Sequence, residues 1–558
     1  MKTAAIYFHP EAYSTTGPKL MGRNAAGEGF LRGFLKHSQA SSIGALLARA
    51  EHGKAFAEAM AASGRSEKPQ LFTKAALHRL ADFGCVFYPA PGLGEHAWHR
   101  TAFGDAAWSL CGITHTICSA GAMDGLVSLL TSPVQPWDAV ICTSTAAKGA
   151  VTRMLQAQAD FLAARVGAQK LVLPQLPIIP LGIHSDDFIF PAKQRHAARA
   201  ALGADDNTHI VLFAGRLSFH AKAHPLAMYQ ALEAAAAALP STDKLQLVQF
   251  GQYPNEHIEK AFGAASQLAA PSVIITTLDG KYVENREIAW AAADIFCSLS
   301  DNLQETFGLT PLEAMAAGLP CIVSDWDGYK DTVRDGVEGI RIPTLMPAIN
   351  LGADLALRHA LEIDNYDMYC GKTSSFIAPD VEATGRALVA LLTKPGLRHR
   401  MGQAGRERAR QVYDWAAIIP QYESLWAELA EVRRLEGAKL KPLAHPWPAR
   451  MDPFHAFAGY ATQHLSPDMY FELVDIDTSA AIERMRAYLN LAMVDFAKAV
   501  LPSEAEIEIL LRTVAGGPIN ASGMLQRIPA ARQIFVFRAL SWMVKMGLLR
   551  ICEPSIAR

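Results

Sequence analysis

From residue 209 onward the chain alternates short, nearly continuous apolar runs with segments of helical period, and no other feature limits its fold so tightly. Residues 209–215, 245–251, 273–279, 294–299 and 319–325 read as strands, and 225–239, 256–269, 283–292 and 311–317 between them read as helices. Strands that are apolar along their whole length and separated by helices belong to a parallel sheet covered on both faces. The first part repeats the pattern with candidate strands at 3–8, 85–88, 112–117, 139–143 and 171–173. The prolines and glycine of 178–188 suit a hinge between the two, so ligands are expected in a cleft between two Rossmann-like units.

A chain of 558 residues exceeds what one core supports, and the rest of it is expected to form a third unit. Pro442, Pro446, Pro448 and Pro453 mark a linker. Beyond it, 479–500, 503–515 and 530–546 read as helices. The last helix followed by Leu-Leu-Arg-Ile-Cys loosely resembles a winged-helix unit, but residues 454–558 balance ten Lys plus Arg against ten Asp plus Glu. With a formal net charge of -2 for the whole chain, no field attracts a polyanion, which argues against a nucleic-acid partner. The apolar helix faces suit packing, or docking of a protein partner.

The eight cysteines show no paired metal-ligand spacing and read as buried free thiols. The start, MKTAAIYFHP, reaches histidine and proline too soon for a signal-peptide core, and no run of about 18 apolar residues occurs. A cytoplasmic setting is expected, with peripheral contact at the inner membrane face left open.

The chemistry concentrates in residues 298–325, SLSDNLQETFGLTPLEAMAAGLPCIVSD. A strand ends, a polar loop comes next, and a helix is expected to start with Thr310 as N-cap and Pro311 as its first residue, ending at Gly318. A helix that begins at the end of a parallel strand points unpaired N–H groups and its positive dipole end into the crevice, which suits a diphosphate. The amides of Phe307, Gly308, Leu309 and Thr310 are the candidates, with Glu305 and Glu313 as acceptors for sugar and ribose hydroxyls. Upstream, Arg216 and Lys222 come after the strand 209–215 and bring two cations. In the first unit, His115 lies in the candidate strand 112–117, and Gly22, Gly27 and Gly29 fall in a loop, 17–29, that precedes or overlaps a helix of about 26–37. No Asp-x-Asp metal signature stands in a comparable context, so no metal is assigned.

Glu-x7-Glu with Phe-Gly-Leu inside it and Ala-x-Ala-x-Gly-Leu-Pro after it resembles the donor-site signature of glycosyltransferase family 4, which has the GT-B fold. The resemblance covers about residues 1–435 and is strongest from 209 to 345. It implies an α/β architecture with an acceptor-side domain at 1–190, a donor-binding domain at 191–411 and a helix at 412–435 that returns to the first domain; a linker at 436–453 and a mainly helical accessory domain at 454–558 would complete the chain. It further implies a retaining transferase that uses a nucleoside diphosphate sugar as co-substrate and no other cofactor. Arg216 and Lys222, the latter one residue beyond the usual spacing, would hold the diphosphate, Glu305 the donor sugar, and Glu313 the ribose. His115 would reach the donor sugar from the first domain, and the glycine loop would approach diphosphate or acceptor. The acceptor would be a sugar, a lipid-linked group or a small molecule. An epimerase or phosphorylase of the same fold, or a silent sugar-nucleotide-binding scaffold, are the alternatives, and the arginine, lysine and paired glutamates favour transfer.

Overall fold

The structure is a computed structural model that describes residues 4–15, 22–441, 443–475 and 477–553. Within them the chain divides into two compact units, Met1–Trp447 and Pro448–Arg558. The first holds two six-stranded sheets. One comprises β1 (Ala5–Phe8), β2 (Gly44–Leu47), β3 (Gln70–Phe72), β4 (Cys85–Phe87), β5 (Ser109–Ile113) and β6 (Ala139–Ile141), in the order β3-β2-β1-β4-β5-β6. The other comprises β7 (Thr208–Ala214), β8 (Lys244–Gly251), β9 (Ile274–Asp279), β10 (Ile295–Ser298), β11 (Cys321–Ser324) and β12 (Gly339–Ile342), in the order β12-β11-β10-β7-β8-β9. Every strand pair in both sheets is parallel. The chain therefore reverses direction across each sheet between β1 and β4 and between β7 and β10, which opens a crevice at the strands' carboxyl ends. Val211, Leu212, Phe296 and Cys297 are buried in the centre of the second sheet, as the near-continuous apolar runs require.

Five helices frame the cleft: α1 (Gly22–His37), α2 (Thr145–Val166), α3 (Leu309–Ala317), α4 (Tyr366–Ser374) and α5 (Trp415–Glu436). Helix α5 carries the chain back from the second sheet to the first. Its cap, Asp414, accepts from the Ala416 amide at 2.8 Å and from Ser185 Oγ at 2.6 Å. Ile183 donates to Tyr413 O at 2.8 Å and accepts from Trp415 N at 3.1 Å, so the segment expected to be a hinge is bonded to the returning chain. Trp415 is fully buried between glycines: a Cβ on Gly33 would fall 2.5 Å from its ring, and one on Gly182 2.6 Å. Further along α5, Tyr422 and Trp426 pack on Phe30, Phe34 and Phe87.

Several elements differ from those the sequence leads one to expect. The strand expected at 112–117 stops at Ile113, which leaves His115 in the following loop. Residues 171–173 form no strand; the chain instead touches β6 through single bridges at Gln175 and Ile178. Strands β2 and β3 have no counterpart among the expected strands, because runs of four and three residues are too short to show a period. Helix α1 starts at Gly22, so Gly22, Gly27 and Gly29 are helical and not loop residues; the part of the expected loop at 17–21 lies outside the described residues. Thr310 does not cap its helix, since α3 begins at Leu309.

In the second unit the helix expected at 479–500 breaks into α6 (Thr478–Leu489) and a short turn at Ala492–Asp495. Next come α7 (Glu504–Val514), which opens with a Ser503–Glu506 capping box, and α8 (Ala530–Lys545). These pack on a small antiparallel sheet in which Tyr470–Leu473 lies between Ile519–Asn520 and Leu549–Cys552. Among the described residues no helix is long and apolar enough to cross a membrane.

Trp415→Ala removes the ring that fills the glycine seat and is expected to destabilise the first unit by about 3–5 kcal/mol, read as a lower calorimetric transition of the full chain. Acid is expected to act early as well. Burial holds His96, His115 and His184 each at about 4 in the folded state, against 6.5 without burial. The unfolded chain then binds protons at these three rings first, so their contribution to stability falls as pH drops from 6.5 towards 4, while the buried Asp301 carboxyl, raised to about 7, acts the other way over the same range. Chemical denaturation at stepped pH of wild type beside His96→Gln checks this: the variant is expected to lose less stability between about pH 6.5 and 4, and parallel profiles would contradict it.

Candidate functional site

Two cations leave the carboxyl end of β7. Arg216 Nη2 donates to Ala221 O at 2.9 Å and to Gln304 Oε1 at 2.8 Å, which ties the loop after β7 to the loop after β10. Lys222 Nζ forms an ion pair with Glu305 Oε2, and both side chains are largely buried, 17% and 12% exposed. Burial works against the Lys222 charge, but Glu305 and Tyr329 outweigh it and hold its pKa above the usual lysine range. The lysine is therefore a fixed cation at any working pH.

The loop after β10 is fastened on both sides of the cleft. Thr306 Oγ1 donates to His115 O at 2.6 Å, and Ser144 Oγ, which caps α2, donates to Thr306 O at 2.7 Å. Thr145 N, the first amide of α2, donates to Asp331 Oδ2 at 2.5 Å. Gly308 then turns the chain into α3 with φ of 89°, and a Cβ at that residue would fall 2.1 Å from the Tyr329 ring. Only glycine combines that backbone with that approach. Among the described residues the amides of Phe307, Gly308, Leu309 and Thr310 have no acceptor, as an anion site at a helix start requires. Thr310 Oγ1 is buried beside the Tyr329 hydroxyl. One turn into α3, Glu313 makes no hydrogen bond to any described residue; burial raises its pKa, while Arg286 and Lys222 act the other way.

Across the cleft, His115 lines a cavity of about 220 Å³ with His9, Glu11, Ala12, Arg23 and Pro89, at the carboxyl ends of β1, β4 and β5. Burial and the neighbouring Arg23 push His115 down to about 4, so its ring is neutral at neutral pH. The three glycines lie in a packed helix, not in the loop expected for them. A Cβ on Gly27 would fall 2.0 Å from Ala12 O, and one on Gly29 3.2 Å from the Trp415 ring, so both serve close packing of α1; Gly22 stands in open space at its start.

Four residues that shape this site lie outside the residues singled out from the sequence. Gln304 receives Arg216, Thr306 joins the two sides, and Tyr329 lies under Gly308 with its hydroxyl 3.0 Å from Ser298 Oγ. Asp327 has φ of 43°, a costly conformation for a residue with a side chain, and its Oδ1 is buried without a partner among the described residues. Burial and then Glu305 raise its carboxyl well above the usual range. The Asp-Gly pair shortly after a strand is the available signal for such a turn.

Residues 194–351 match the family model described as Glycosyl transferases group 1. The chain is 27% identical over 220 residues to a phosphatidyl-myo-inositol mannosyltransferase of Mycobacterium leprae, a match that covers 39% of this chain and 46% of that protein. It is 32% identical over 174 residues to a D-inositol 3-phosphate glycosyltransferase of Geodermatophilus obscurus, covering 31% and 37%. The chain thus spans less than half the length of these curated relatives. The crystal structure of Anabaena Alr3699/HepE in complex with UDP superposes with a TM-score of 0.50 at 14% identity, over 77% of this chain and 100% of that one. The two facing sheets have the GT-B fold, Arg216, Lys222, Glu305 and Glu313 gather at the carboxyl ends of the second, and the match to glycosyl transferases group 1 falls on residues 194–351, which hold all four.

Proposed function

We propose that the chain transfers a sugar from a nucleoside diphosphate sugar to a hydroxyl acceptor, without a metal ion and with retention at the anomeric carbon. The convergence of Arg216, Lys222 and the unclaimed amides of Phe307–Thr310 at one helix start carries this reading. The UDP bound to the Anabaena structure and the names of the curated relatives support it.

On this reading the diphosphate lies on the start of α3 and recruits Lys222 and Arg216. Lys222 exchanges its carboxylate partner for phosphate, which frees Glu305 to accept a hydroxyl of the donor sugar, while Glu313 takes the ribose hydroxyls. The bond from the anomeric carbon to the phosphate oxygen breaks as the acceptor oxygen attacks from the same face, and the acceptor proton passes to the departing phosphate oxygen. Arg216, Lys222 and the amides stabilise the charge that develops there, so two side-chain cations supply what a divalent ion would otherwise bring. The cavity lined by His9, Arg23 and His115 seats the acceptor. Neutral His115 can donate or accept a hydrogen bond there, in keeping with a hydroxyl partner. All eight cysteines are free thiols, which supports a reducing, cytoplasmic setting.

Thermal shift and donor hydrolysis against UDP-, GDP-, ADP- and dTDP-sugars in EDTA test the reading. One donor is expected to stabilise the protein and release nucleotide, and Arg216→Ala and Glu305→Ala are each expected to lower turnover about 100- to 1000-fold. No donor response, or variants that turn over like wild type, would sink it. Asp327→Asn keeps the shape and removes the ionisable group. It is expected to weaken donor binding by about tenfold, with unchanged melting of the free protein, if the buried oxygen serves the donor sugar. A change in melting without a change in affinity would assign Asp327 to the fold alone.

A further inference from the structure

The loop after β5 that carries His115 also carries Cys118. Its Sγ lies 3.8 Å from Cys370 Sγ and 3.8 Å from the Tyr366 hydroxyl, both on α4. The two cysteines are 252 residues apart in sequence and belong to opposite sides of the cleft. No other two thiols among the described residues lie within hydrogen-bonding distance. Helix α4 is seated on the machinery of the second sheet: a Cβ on Gly371 would fall 2.6 Å from His220, and Tyr366 Oη donates to the same Gln304 Oε1 that receives Arg216, at 3.2 Å.

We propose that Cys118 and Cys370 are an oxidative modification site, closing to a reversible disulfide that ties the two sides of the cleft together, with a low-molecular-weight disulfide as oxidant. The sulfurs must approach from contact to about 2.0 Å, which a rotation of one side chain and a small shift of the loop after β5 can provide. The Cys118 sulfur, as thiolate, attacks one sulfur of the oxidant; the oxidant's S–S bond breaks and its first half leaves as a thiolate that takes up the Cys118 proton. Cys370 then loses its proton and attacks Cys118 in the mixed disulfide, expelling the second half, which takes up that proton. Two protein thiols are oxidised by two electrons and one small disulfide is reduced to two thiols. Hydrogen bonds with Cys370 and Tyr366 favour the thiolate at Cys118. The closed bond would prevent the Thr306–His115 and Thr145–Asp331 contacts from parting, because Cys118 lies three residues from His115.

This inference stands apart from the proposed activity, and its test needs no turnover. The full chain is treated with bis(hydroxyethyl) disulfide, digested without reduction and mapped by mass, and amide hydrogen exchange is followed before and after. The expected result is a linked peptide pair containing Cys118 and Cys370, dissolved by dithiothreitol, with exchange around 143–147 and 304–308 slowed about tenfold in the oxidised protein. Cys118→Ser and Cys370→Ser should each abolish both effects, and either variant that folds suffices. Oxidation that stops at a mixed disulfide, a link between other cysteines, or a Cys118–Cys370 link with unchanged exchange would overturn the proposal.

Discussion

The geometry of the first unit hangs on one aromatic ring in a seat of glycines. Trp415 is the first residue of α5, and Gly29, Gly33 and Gly182 leave room for it against α1 and the segment that joins the two sheets. The chain crosses from one sheet to the other twice, once through 178–190 and once into α5, and the crossings are bonded to each other through Ile183 and Asp414. Such a paired crossing fixes where the sheets face each other, and a few element-terminal residues of this kind are where hinges are built. The two sides also meet through polar contacts: Thr306 is bonded to His115 and Ser144, and Asp331 to Thr145.

Those polar contacts bring the acceptor side and the donor side to the same few residues, and the electrostatics stem from that. Lys222 and Glu305 form a largely buried pair, and such a pair gains little net stability because desolvation offsets most of the attraction. Its use is better understood as storage. In the free protein each charge satisfies the other, so neither is left bare in a cleft of low polarity. An arriving diphosphate offers Lys222 a more highly charged partner, and the carboxylate it gives up becomes available within reach of the sugar. The Asp327 and Glu313 carboxyls contrast with this, for burial raises both and no cation among the described residues bonds to either.

The core of this site is legible in the sequence because it is local. β10, its loop and α3 succeed one another directly, the strands around them are apolar throughout, and Gly318 ends α3 in the left-handed conformation that its position suggests. The features that leave no such trace are set at a distance. Thr310 resembles a cap to its immediate neighbours, yet Gly308 packs on Tyr329, well beyond the end of the helix, and that contact moves the helix start forward. Gly27 and Gly29 resemble loop glycines because close approach to Ala12 and Trp415 has no local signature. β2 and β3 are hidden for a different reason: they are fully specified only by the neighbours they pair with. The role of Thr306 depends on His115 and Ser144, 191 and 162 residues away in the chain.

The cysteine pair belongs to the same logic of distance. Each thiol alone is an ordinary buried cysteine, and seven of the eight in the chain are buried. Cys118 and Cys370 differ only because the cleft edge that Thr306 and Asp331 hold together also holds them together, so their separation reports how far that edge is open. Parted edges would take the sulfurs beyond reach of each other and leave two inert thiols. The contact that positions the donor loop is thus also the condition for the chemistry between the sulfurs, and a bond between them would add a covalent constraint to the packing that Trp415 already supplies.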